Sequence, residues 1–373
     1  MIKKSVILLA LFLLYTVGVY AISAQNALVM DAETGRVLFE HNGYDKKGIA
    51  STTKILTALV VLENCNLTDI VTVSYNASIT EGSSMYLKSN EKISVEDLLY
   101  GLMLNSGNDA ATALAEHTSG SIEEFAKLMN KKANEIGMKN SSFANPHGLD
   151  NENHYSTAYD MALLTRYAME NEKFRTIVST KQKIAKTQEE GKYRYLTNHN
   201  KLLSKYQWCK GVKTGFTKKS GRCLVSYAEK EGVKLIAITL NAPDDWNDHI
   251  NLYEQYFNNY KSYKIINTND YLCSVNIENA EQNTLNLYNC KAITLTLSNE
   301  EYKNLQIKYN YPKSIKAPVY VDQVIGNTEI LLNGKVISSS PIISKEGIVQ
   351  KTSKRYSKIL KFLAKNLILI FKS

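Results

Sequence analysis

The segment Ala50-Ser-Thr-Thr-Lys-Ile-Leu-Thr-Ala-Leu59 joins two polar groups to the start of an apolar helix. Ser51 and Lys54 are three residues apart, and residues at this spacing share one face of a helix. A serine hydroxyl and a lysine amine can therefore meet on one helical turn. Burial and a second nearby cation both lower a lysine pKa, and a neutral amine can take the serine proton. The segment thus favours a serine nucleophile with a lysine base.

The segments around this helix predict a sheet built from distant parts of the chain. Before it, residues 26–31 and 33–40 have strand character around a turn at Thr34-Gly35. Helical patterns fill residues 94–180, where Ser94 and Asp97 resemble a capping box. Strand character returns at 210–228 and 234–240, and a helix is predicted over 246–260. Strands on both sides of a helical block indicate a sheet with helices over its faces.

The pattern changes after about Tyr263. Several short segments between residues 285 and 337 alternate apolar and polar residues with period two, as strands do. Asn333-Gly334 is typical of a two-residue hairpin turn. This part is predicted to be a small all-β domain, and 373 residues are enough for two to three domains.

The N-terminus is typical of a secretory signal peptide. Lys3 and Lys4 precede an apolar run over residues 6–20, which is short for a bilayer-spanning helix. Small residues stand at the cleavage spacing in Val19-Tyr20-Ala21, and Ala24 is a second candidate. We assign residues 1–24 to the signal; the alternative is an uncleaved anchor. An exported chain is expected to lie on the outer side of the cytoplasmic membrane.

The C-terminus is predicted to be an amphipathic helix over residues 349–373. The net charge of +9 suits a nucleic acid, an anionic membrane or an acidic polymer, and residues 351–373 hold basic residues but no acidic one. At helical spacing most of these lysines form one stripe, and apolar residues cover the rest. Such a helix suits the interface of an anionic membrane, as a peripheral attachment. The alternatives are packing on the protein's own core or nucleic-acid contact, and an exported chain rarely meets nucleic acid.

Two further short motifs follow Ser51 and Lys54 in the order that a serine acyl-transfer site needs. Ser106-Gly107-Asn108 lies between two apolar helices, where a loop can push a hydroxyl and an amide into a cleft. Lys213-Thr214-Gly215 opens a predicted hairpin, where a strand edge can accept an extended peptide and a glycine allows close approach. Each motif alone is weak; Ser89-Asn-Glu-Lys92 also fits the serine–lysine spacing on a polar loop. The ordered trio is far more specific.

The trio and its surroundings resemble the low-molecular-mass D-alanyl-D-alanine carboxypeptidases. Beyond the motifs, similar stretches include Phe143-Ala-Asn-Pro-His-Gly-Leu149 and Gly211-Val-Lys-Thr-Gly-Phe-Thr217. The resemblance implies an α+β, β-lactamase/transpeptidase-like catalytic domain with an antiparallel sheet flanked by helices at 25–261. It also implies a β-rich domain at 262–348. Gly48 stands where the family often has proline, and Val321-Asp322 replaces a more usual Lys-Gly.

The resemblance also implies the role of each site residue. Ser51 would attack the penultimate D-alanine carbonyl of a peptidoglycan stem peptide ending in D-Ala-D-Ala, with Lys54 as base and Ser106 as proton relay. The backbone N–H groups of Ser51 and Phe216 would form the oxyanion hole. β-Lactams would be trapped as slow esters, and no metal or cofactor is implied. The substrate-binding residues would be Lys213 and Thr214 for the terminal carboxylate, Gly215 for close approach, and Asn108 for orientation.

The histidines and cysteines suggest other chemistry less strongly. His147 and His154 could suggest a Ser-His-Asp site, but no G-x-S-x-G segment is present, so we expect them to hold loops through hydrogen bonds. Cys223 is expected near the site, almost opposite Lys213 and not paired with Cys209. The remaining question, whether Cys273 and Cys290 form a disulfide or are buried core residues, stays open.

Three other functions remain open on the same scaffold. A non-catalytic penicillin-binding or wall-sensing protein would bind β-lactams without turning over a D-Ala-D-Ala peptide. A DD-endopeptidase would use the same site on an internal bond. A β-lactamase would need fast deacylation, and the appended β domain and basic tail argue against it.

Overall fold

The computed structural model describes residues 22–186 and 193–351. The predicted signal segment up to residue 21 and the predicted amphipathic tail from residue 352 lie outside the described residues. The strands in chain order are β1 Asn26–Asp31, β2 Val37–His41, β3 Ile70–Thr72, β4 Lys92–Ser94, β5 Gln182–Lys186, β6 Tyr193–Thr197, β7 Cys209–Thr217, β8 Gly221–Lys230, β9 Val233–Leu240, β10 Tyr260–Ile266, β11 Tyr271–Glu278, β12 Thr284–Asn289, β13 Ile293–Ser298, β14 Leu305–Asn310, β15 Ser314–Lys316, β16 Val324–Leu332 and β17 Lys335–Ser344. The helices are α1 Lys54–Asn64, preceded by a 3-10 turn over Ala50–Thr53, then α2 Tyr75–Ser78, α3 Val95–Leu104, α4 Asn108–Ser119, α5 Ile122–Ile136, α6 Ala158–Ala168, α7 Glu172–Ser179, α8 Leu202–Lys205, α9 Asp245–Asn259 and α10 Asn299–Lys303.

The central sheet has five antiparallel strands in the order β2-β1-β9-β8-β7. β1 comes from the start of the described chain and pairs directly with β9, which lies about two hundred residues later. This pairing confirms that the sheet combines distant segments. β7, which carries Lys213-Thr214-Gly215, is an edge strand of this sheet, so one side of its backbone is available for another strand.

Helices cover both faces of the central sheet. One face packs on α1 and α3 to α7 through a large apolar core that includes Met30, Leu56 and Ile238. The other face packs on α9 through a smaller cluster that includes Val29 and Tyr253. The predicted α+β sandwich is therefore confirmed, with α1 buried at its centre.

Local capping explains where the helices around the site begin. The Ser94 hydroxyl accepts a hydrogen bond from the Asp97 backbone N–H at 3.1 Å, and Thr157 caps α6 in the same way. Such caps stabilise a helix by roughly 1 kcal/mol each, because they satisfy backbone donors that have no helical partner. The capping box predicted from Ser94 and Asp97 is present only as an N-cap, because the Asp97 carboxylate accepts from the Ser94 hydroxyl and not from its backbone N–H. The helix predicted over 246–260 is α9, one residue offset at each end.

The region after α9 is predominantly β structure, as predicted. A six-stranded sheet runs in the order β14-β16-β17-β12-β11-β15, and only the β11–β15 pair is parallel. Asn333 and Gly334 connect β16 to β17 with φ angles of 51° and 76°, which is the left-handed backbone that this hairpin turn requires. β10 pairs with β13, so Tyr260 and Lys261 already lie in strand structure of this region.

Polar contacts join the two parts of the chain. Arg36 forms a salt bridge with Glu301 at 2.6 Å and donates a second hydrogen bond to the Thr296 carbonyl oxygen at 2.7 Å. The Thr296 hydroxyl donates to Asp31 at 3.0 Å. The turn between β1 and β2 is thereby tied to β13 and α10, which holds the β-rich part against the central sheet.

Candidate active site

Ser51 lies in the 3-10 turn that leads into α1. Lys54 begins α1, and its Nζ lies 2.8 Å from the Ser51 Oγ. Ala50 precedes the serine with a φ of 46°, a backbone region that non-glycine residues seldom occupy and that occurs most often at functional sites. The hydrogen bond predicted from the three-residue spacing is therefore present.

Lys54 is fully buried, and its Nζ contacts three neutral oxygen atoms. Besides Ser51, its Nζ lies 2.7 Å from Asn108 Oδ1 and 2.6 Å from the His147 carbonyl oxygen. Burial, and then the charge of Lys213, hold the pKa of Lys54 well below its usual range. The neutral form of the amine, which can accept a proton, is thereby favoured.

The second motif lies at the junction of α3 and α4. Ser106 has a left-handed backbone with a φ of 59°, and it lines the cleft above Ser51. Asn108 begins α4; its Oδ1 faces Lys54, and its Nδ2 donates to the Glu81 carbonyl oxygen at 2.6 Å. Asn108 thus positions Lys54 in this structure. Its predicted contact with substrate stays a prediction.

The third motif lies on the exposed edge of β7. Thr214, Gly215 and Phe216 line the cleft, whereas Lys213 is 1% exposed and its Nζ donates to the Thr214 carbonyl oxygen at 2.9 Å. Burial lowers the pKa of Lys213 to about 7. The charge of Lys213 lowers the pKa of Lys54, and the predicted contact of Lys213 with a carboxylate stays a prediction.

Gly215 brings β7 against the nucleophile turn. A Cβ at this position would lie 3.0 Å from the Ser51 backbone nitrogen and 3.1 Å from the Ile49 carbonyl oxygen, closer than side chains normally approach. The absence of a side chain therefore sets the distance between β7 and Ser51. The N–H groups of Ser51 and Phe216, predicted to bind an oxyanion, belong to these two adjoining backbone segments.

The three motifs meet in a cleft of about 320 Å³. Ser51 and Ser106 lie on its helical side, and Thr214 to Phe216 lie on its strand side. The sequence motifs did not identify the remaining lining residues, which are Ser83, His199, Lys201, Arg222, Asp245 and Trp246. Counting along the predicted hairpin could have found Arg222, since it faces Phe216 across β7 and β8.

The two histidines hold loops, as expected. His154 Nε2 lies 2.7 Å from the Thr53 hydroxyl, and its Nδ1 accepts a hydrogen bond from the Ala144 N–H. Burial lowers the pKa of His154 to about 4 and that of His147 to about 3, so both are neutral. Neither ring contacts Ser51, so the lysine is the base that the geometry supports.

The cysteines of the described residues are all free thiols. Cys223 pairs with Gly215 in the β7–β8 register, two positions from Lys213, and its Sγ lies beneath the nucleophile turn, 3.8 Å from the Gly48 carbonyl oxygen. Burial raises the pKa of the Cys223 thiol to about 12, so it is an inert packing group. Cys273 and Cys290 are each partly buried, and no disulfide joins them.

The part of the chain that the structure describes contains no group of three or more histidine, cysteine or acidic side chains arranged to hold a metal ion. The groups that the three motifs bring together are hydroxyls, amines, an amide and backbone N–H groups. A serine hydroxyl in contact with a buried amine whose pKa is lowered, beside an open strand edge, defines a serine acyl-transfer enzyme with a lysine base.

Comparison with known proteins identifies the family. Residues 15–244 match the family model described as D-alanyl-D-alanine carboxypeptidase, and residues 260–350 match the one described as penicillin-binding protein 5, C-terminal domain. The chain is 33% identical to D-alanyl-D-alanine carboxypeptidase DacF of Bacillus subtilis, over 87% of this chain and 85% of that protein. It is also 33% identical to DacC of Escherichia coli, over 89% and 86%.

Solved structures agree with this assignment. Penicillin-binding protein 5 from Haemophilus influenzae superposes with a TM-score of 0.75 at 29% identity, over 88% of this chain and 98% of that one. The chain therefore belongs to the D-alanyl-D-alanine carboxypeptidase family and has its β-lactamase/transpeptidase-like fold. It is a serine-type carboxypeptidase of the penicillin-binding class. Proteins of this family act on peptidoglycan stem peptides ending in D-Ala-D-Ala and bind β-lactams.

Proposed function

We propose that this chain removes the terminal D-alanine from peptidoglycan stem peptides through an ester on Ser51, at the outer face of the cytoplasmic membrane. The observation that carries the proposal is the 2.8 Å contact between Ser51 Oγ and the buried Lys54 Nζ. A neutral amine has two N–H bonds and one lone pair. Asn108 and His147 offer acceptors for the two N–H bonds, which leaves the lone pair for the Ser51 proton.

The acylation step follows from this arrangement. Ser51 Oγ attacks the carbonyl carbon of the penultimate D-alanine while its proton passes to Lys54. The N–H groups of Ser51 and Phe216 stabilise the negative oxygen of the tetrahedral intermediate; one such donor is typically worth about 10²–10³ in rate. Ser106 relays the proton taken up by Lys54 to the leaving amine, so that Lys54 is neutral again when D-alanine departs. The ester then remains on Ser51.

Hydrolysis of the ester completes the cycle. A water molecule gives its proton to the Lys54 amine as it attacks the ester carbonyl, and the proton returns to Ser51 Oγ as the shortened peptide leaves. A β-lactam ring opens on the same serine, but its leaving group stays tethered, so its ester persists. Lys213 supports both steps because its charge favours the neutral form of Lys54.

Mass spectrometry tests this assignment. The purified protein is incubated with a defined pentapeptide muropeptide and, separately, with benzylpenicillin. We expect loss of one D-alanine from the muropeptide and a penicilloyl adduct on the proteolytic peptide that contains Ser51. An adduct on another residue, or penicillin binding without any release of D-alanine, would contradict the proposal; the second result would favour the wall-sensing alternative.

Export is the second part of the proposal. Ser23 bonds to Asp248 through both its N–H and its hydroxyl, at 2.9 and 2.7 Å, and Ala24 is buried. These contacts belong to the folded catalytic part, so they favour cleavage after Ala21 over cleavage after Ala24. N-terminal sequencing of the secreted protein is expected to begin at Ile22.

Membrane attachment is the third part. No helix among residues 22–186 and 193–351 is long and apolar enough to cross a bilayer. The basic and apolar sequence of the tail supports attachment at the interface. Val349 is exposed just before Lys351, and the exposed Val321 lies beside Gly347, so both offer further apolar contact with lipid. We expect the full chain to sediment with vesicles rich in anionic lipid, and a chain ending at residue 351 to remain in solution. Equal sedimentation of the two would contradict this part.

A further inference from the structure

A second cavity adjoins the catalytic cleft. Its volume is about 480 Å³, against about 320 Å³ for the cleft, and Lys201 lines both. Gln182 at the start of β5 and Thr197 at the end of β6 form part of its wall, and so does Lys205 at the end of α8. The two spaces therefore meet at Lys201, and a ligand held in the cleft can extend into the second one.

The charge that lines this second cavity is positive. Lys181, Lys201 and Lys205 line it and are exposed to solvent, so we call it the lysine cavity. No acidic side chain of the described residues lines it, and none forms a salt bridge with these three lysines. Cations of one sign in a concave site raise the local concentration of anions. The lysine cavity therefore suits an acidic ligand.

Asn200 gives the lysine cavity a buried donor that lacks an acceptor. Asn200 is 3% exposed and lines the cavity, and its Oδ1 accepts a hydrogen bond from the Leu202 N–H at 3.1 Å. Its Nδ2 has no hydrogen-bond partner among the described residues. A buried donor of this kind is costly, and such groups are rare in folded proteins. An oxygen atom of a bound ligand would supply the acceptor.

The direction of the substrate on β7 places the lysine cavity on the leaving side of the scissile bond. The Phe216 N–H is expected to hold the scissile carbonyl oxygen, and Thr214 the residue that follows it. The path from the scissile bond into the leaving group therefore runs from Phe216 toward the start of β7, where α8 packs. A terminal D-alanine ends beside Thr214, so only a longer leaving group reaches Lys205.

We propose that the lysine cavity binds the neighbouring stem peptide of a peptidoglycan cross-link as a leaving group, so that this chain also hydrolyses cross-links. In a cross-link the D-alanine carbonyl is joined to the side-chain amine of a second stem, which is an acidic peptide with free carboxylates. Lys181 and Lys205 bind these carboxylates, and Asn200 donates to the same peptide.

The chemistry is that of the proposed function, on which this inference rests. Ser51 Oγ attacks the D-alanine carbonyl carbon, and the amide bond to the neighbouring stem breaks. The side-chain amine leaves with the proton that Ser106 relays, and water then hydrolyses the ester on Ser51. The products are two separate stems, one with a new carboxylate and one with a free amine.

Two purified muropeptides test the inference: a pentapeptide monomer and a cross-linked dimer of a tetrapeptide and a tripeptide. We expect the wild-type protein to release D-alanine from the first and to split the second into its two monomers. Lys181→Glu combined with Lys205→Glu reverses two charges that line the lysine cavity and not the cleft. This variant should lower kcat/KM for the dimer about 10-fold, since exposed charge pairs each contribute modestly. Its turnover of the pentapeptide should not change.

Lys303→Glu combined with Lys313→Glu is the matched control, because it makes the same change in net charge at two exposed lysines of the β-rich part. It should leave both rates as in the wild-type protein. An intact dimer in the presence of a wild-type protein that releases D-alanine would overturn the inference and leave the proposed function standing. So would a cavity variant that cleaves the dimer at the wild-type rate. Failure to act on either muropeptide would contradict the proposed function itself.

A dimer whose tripeptide carboxylates are converted to amides tests the same contacts with the wild-type protein alone, so that a folding defect in the cavity variant cannot decide the outcome. We expect the amidated dimer to be cleaved about 10-fold more slowly than the acidic one, and raised salt to narrow the difference. Equal rates for the two dimers would overturn the inference.

Discussion

The chain contains two serine–lysine pairs with the same spacing, and only one of them has a reactive geometry. Ser51 and Lys54 lie on a helical turn at the centre of the core, and their side chains are in contact. Ser89 and Lys92 lie in a turn and at the start of β4, where both are exposed. An identical pattern of letters therefore gives a buried amine in one place and a solvated ammonium in the other.

The difference arises from what surrounds each lysine. Around Lys54 the helices α1 and α4 and the loop at His147 exclude water and supply neutral oxygen acceptors. Next to Lys92, the Glu91 carboxylate accepts a hydrogen bond from the Lys88 N–H and forms a salt bridge with Arg194. Burial without a counter-ion is what lowers an amine pKa, and spacing alone does not provide it.

Replacement of the two serines should give the largest contrast. Ser51→Ala removes the attacking oxygen, and D-alanine release should fall to background, roughly 10⁴-fold or more. Ser89→Ala should release D-alanine at the wild-type rate. The measurement is the initial rate of D-alanine release from a pentapeptide. Release of D-alanine by Ser51→Ala at a rate near that of the wild type would show that Ser51 is not the nucleophile.

Replacement of the two lysines should give the next largest effect. Lys54→Met removes the base and should slow acylation by about 10²–10⁴-fold, as expected for loss of a positioned proton acceptor. Lys92→Met should acylate normally. Stopped-flow rates with a fluorescent penicillin measure both. If Lys54→Met acylated as fast as Lys92→Met, another group would have to be the base.

Lys213 should make stability depend on pH. Its pKa is about 7 in the folded protein and 10.5 in the unfolded chain. Between these two pKa values the unfolded chain binds more protons than the folded protein, so the free energy of unfolding rises with pH in that window. Below the window the amine is charged in both states, and its contribution no longer changes with pH. Relative to Lys213→Met, the wild-type protein should gain on the order of 2 kcal/mol between pH 7 and pH 9.

Urea unfolding of both proteins at the two pH values measures this gain. Lys210→Met is the control, since Lys210 is an exposed lysine on the same strand. Its difference from the wild-type protein should not change with pH. A Lys213→Met difference that was equally flat would show that Lys213 keeps its charge in the fold.

The smallest effect is expected far from the cleft, at the contact with the β-rich part. Arg36→Ala removes the salt bridge to Glu301 and should lower the free energy of unfolding by about 1 kcal/mol. D-alanine release should not change, because Arg36 does not line the cleft. Thermal unfolding and turnover of the same preparation check both expectations. A marked loss of turnover would mean that the β-rich part acts on the site.

The parts that could be predicted from the sequence are those with local signals. The helical stripe of Ile122 to Ile136, the Ser94 cap and the Asn333-Gly334 turn each have a pattern within a few residues. The order of the three motifs then indicated a common cleft. The hairpin β5–β6 was not predicted, since its strands are short and mostly exposed and lack a clear apolar alternation.

Other features depend on long-range packing and leave no local pattern. The contacts of the Asn108 amide with Lys54 and the Glu81 carbonyl oxygen could not be predicted from spacing, and its predicted role in orienting substrate stays a prediction. The same holds for the contact of Lys213 Nζ with the Thr214 carbonyl oxygen, and its predicted binding of a carboxylate stays a prediction. Arg222 and Asp245 meet only when α9 packs on the sheet. Spacing identified the groups, and packing determined what each can touch.

The ionisation of Lys54 is the most direct test of the claim that a buried lysine acts as the base. Nitrogen-15 labelled lysine, with the Lys54 signal assigned by its loss in Lys54→Met, reports whether this amine is neutral. We expect Lys54 to give the signal of a neutral amine at pH 7, distinct from the signals of exposed lysines such as Lys92. A Lys54 signal that stayed that of a charged ammonium up to about pH 10, as in a solvated lysine, would contradict it.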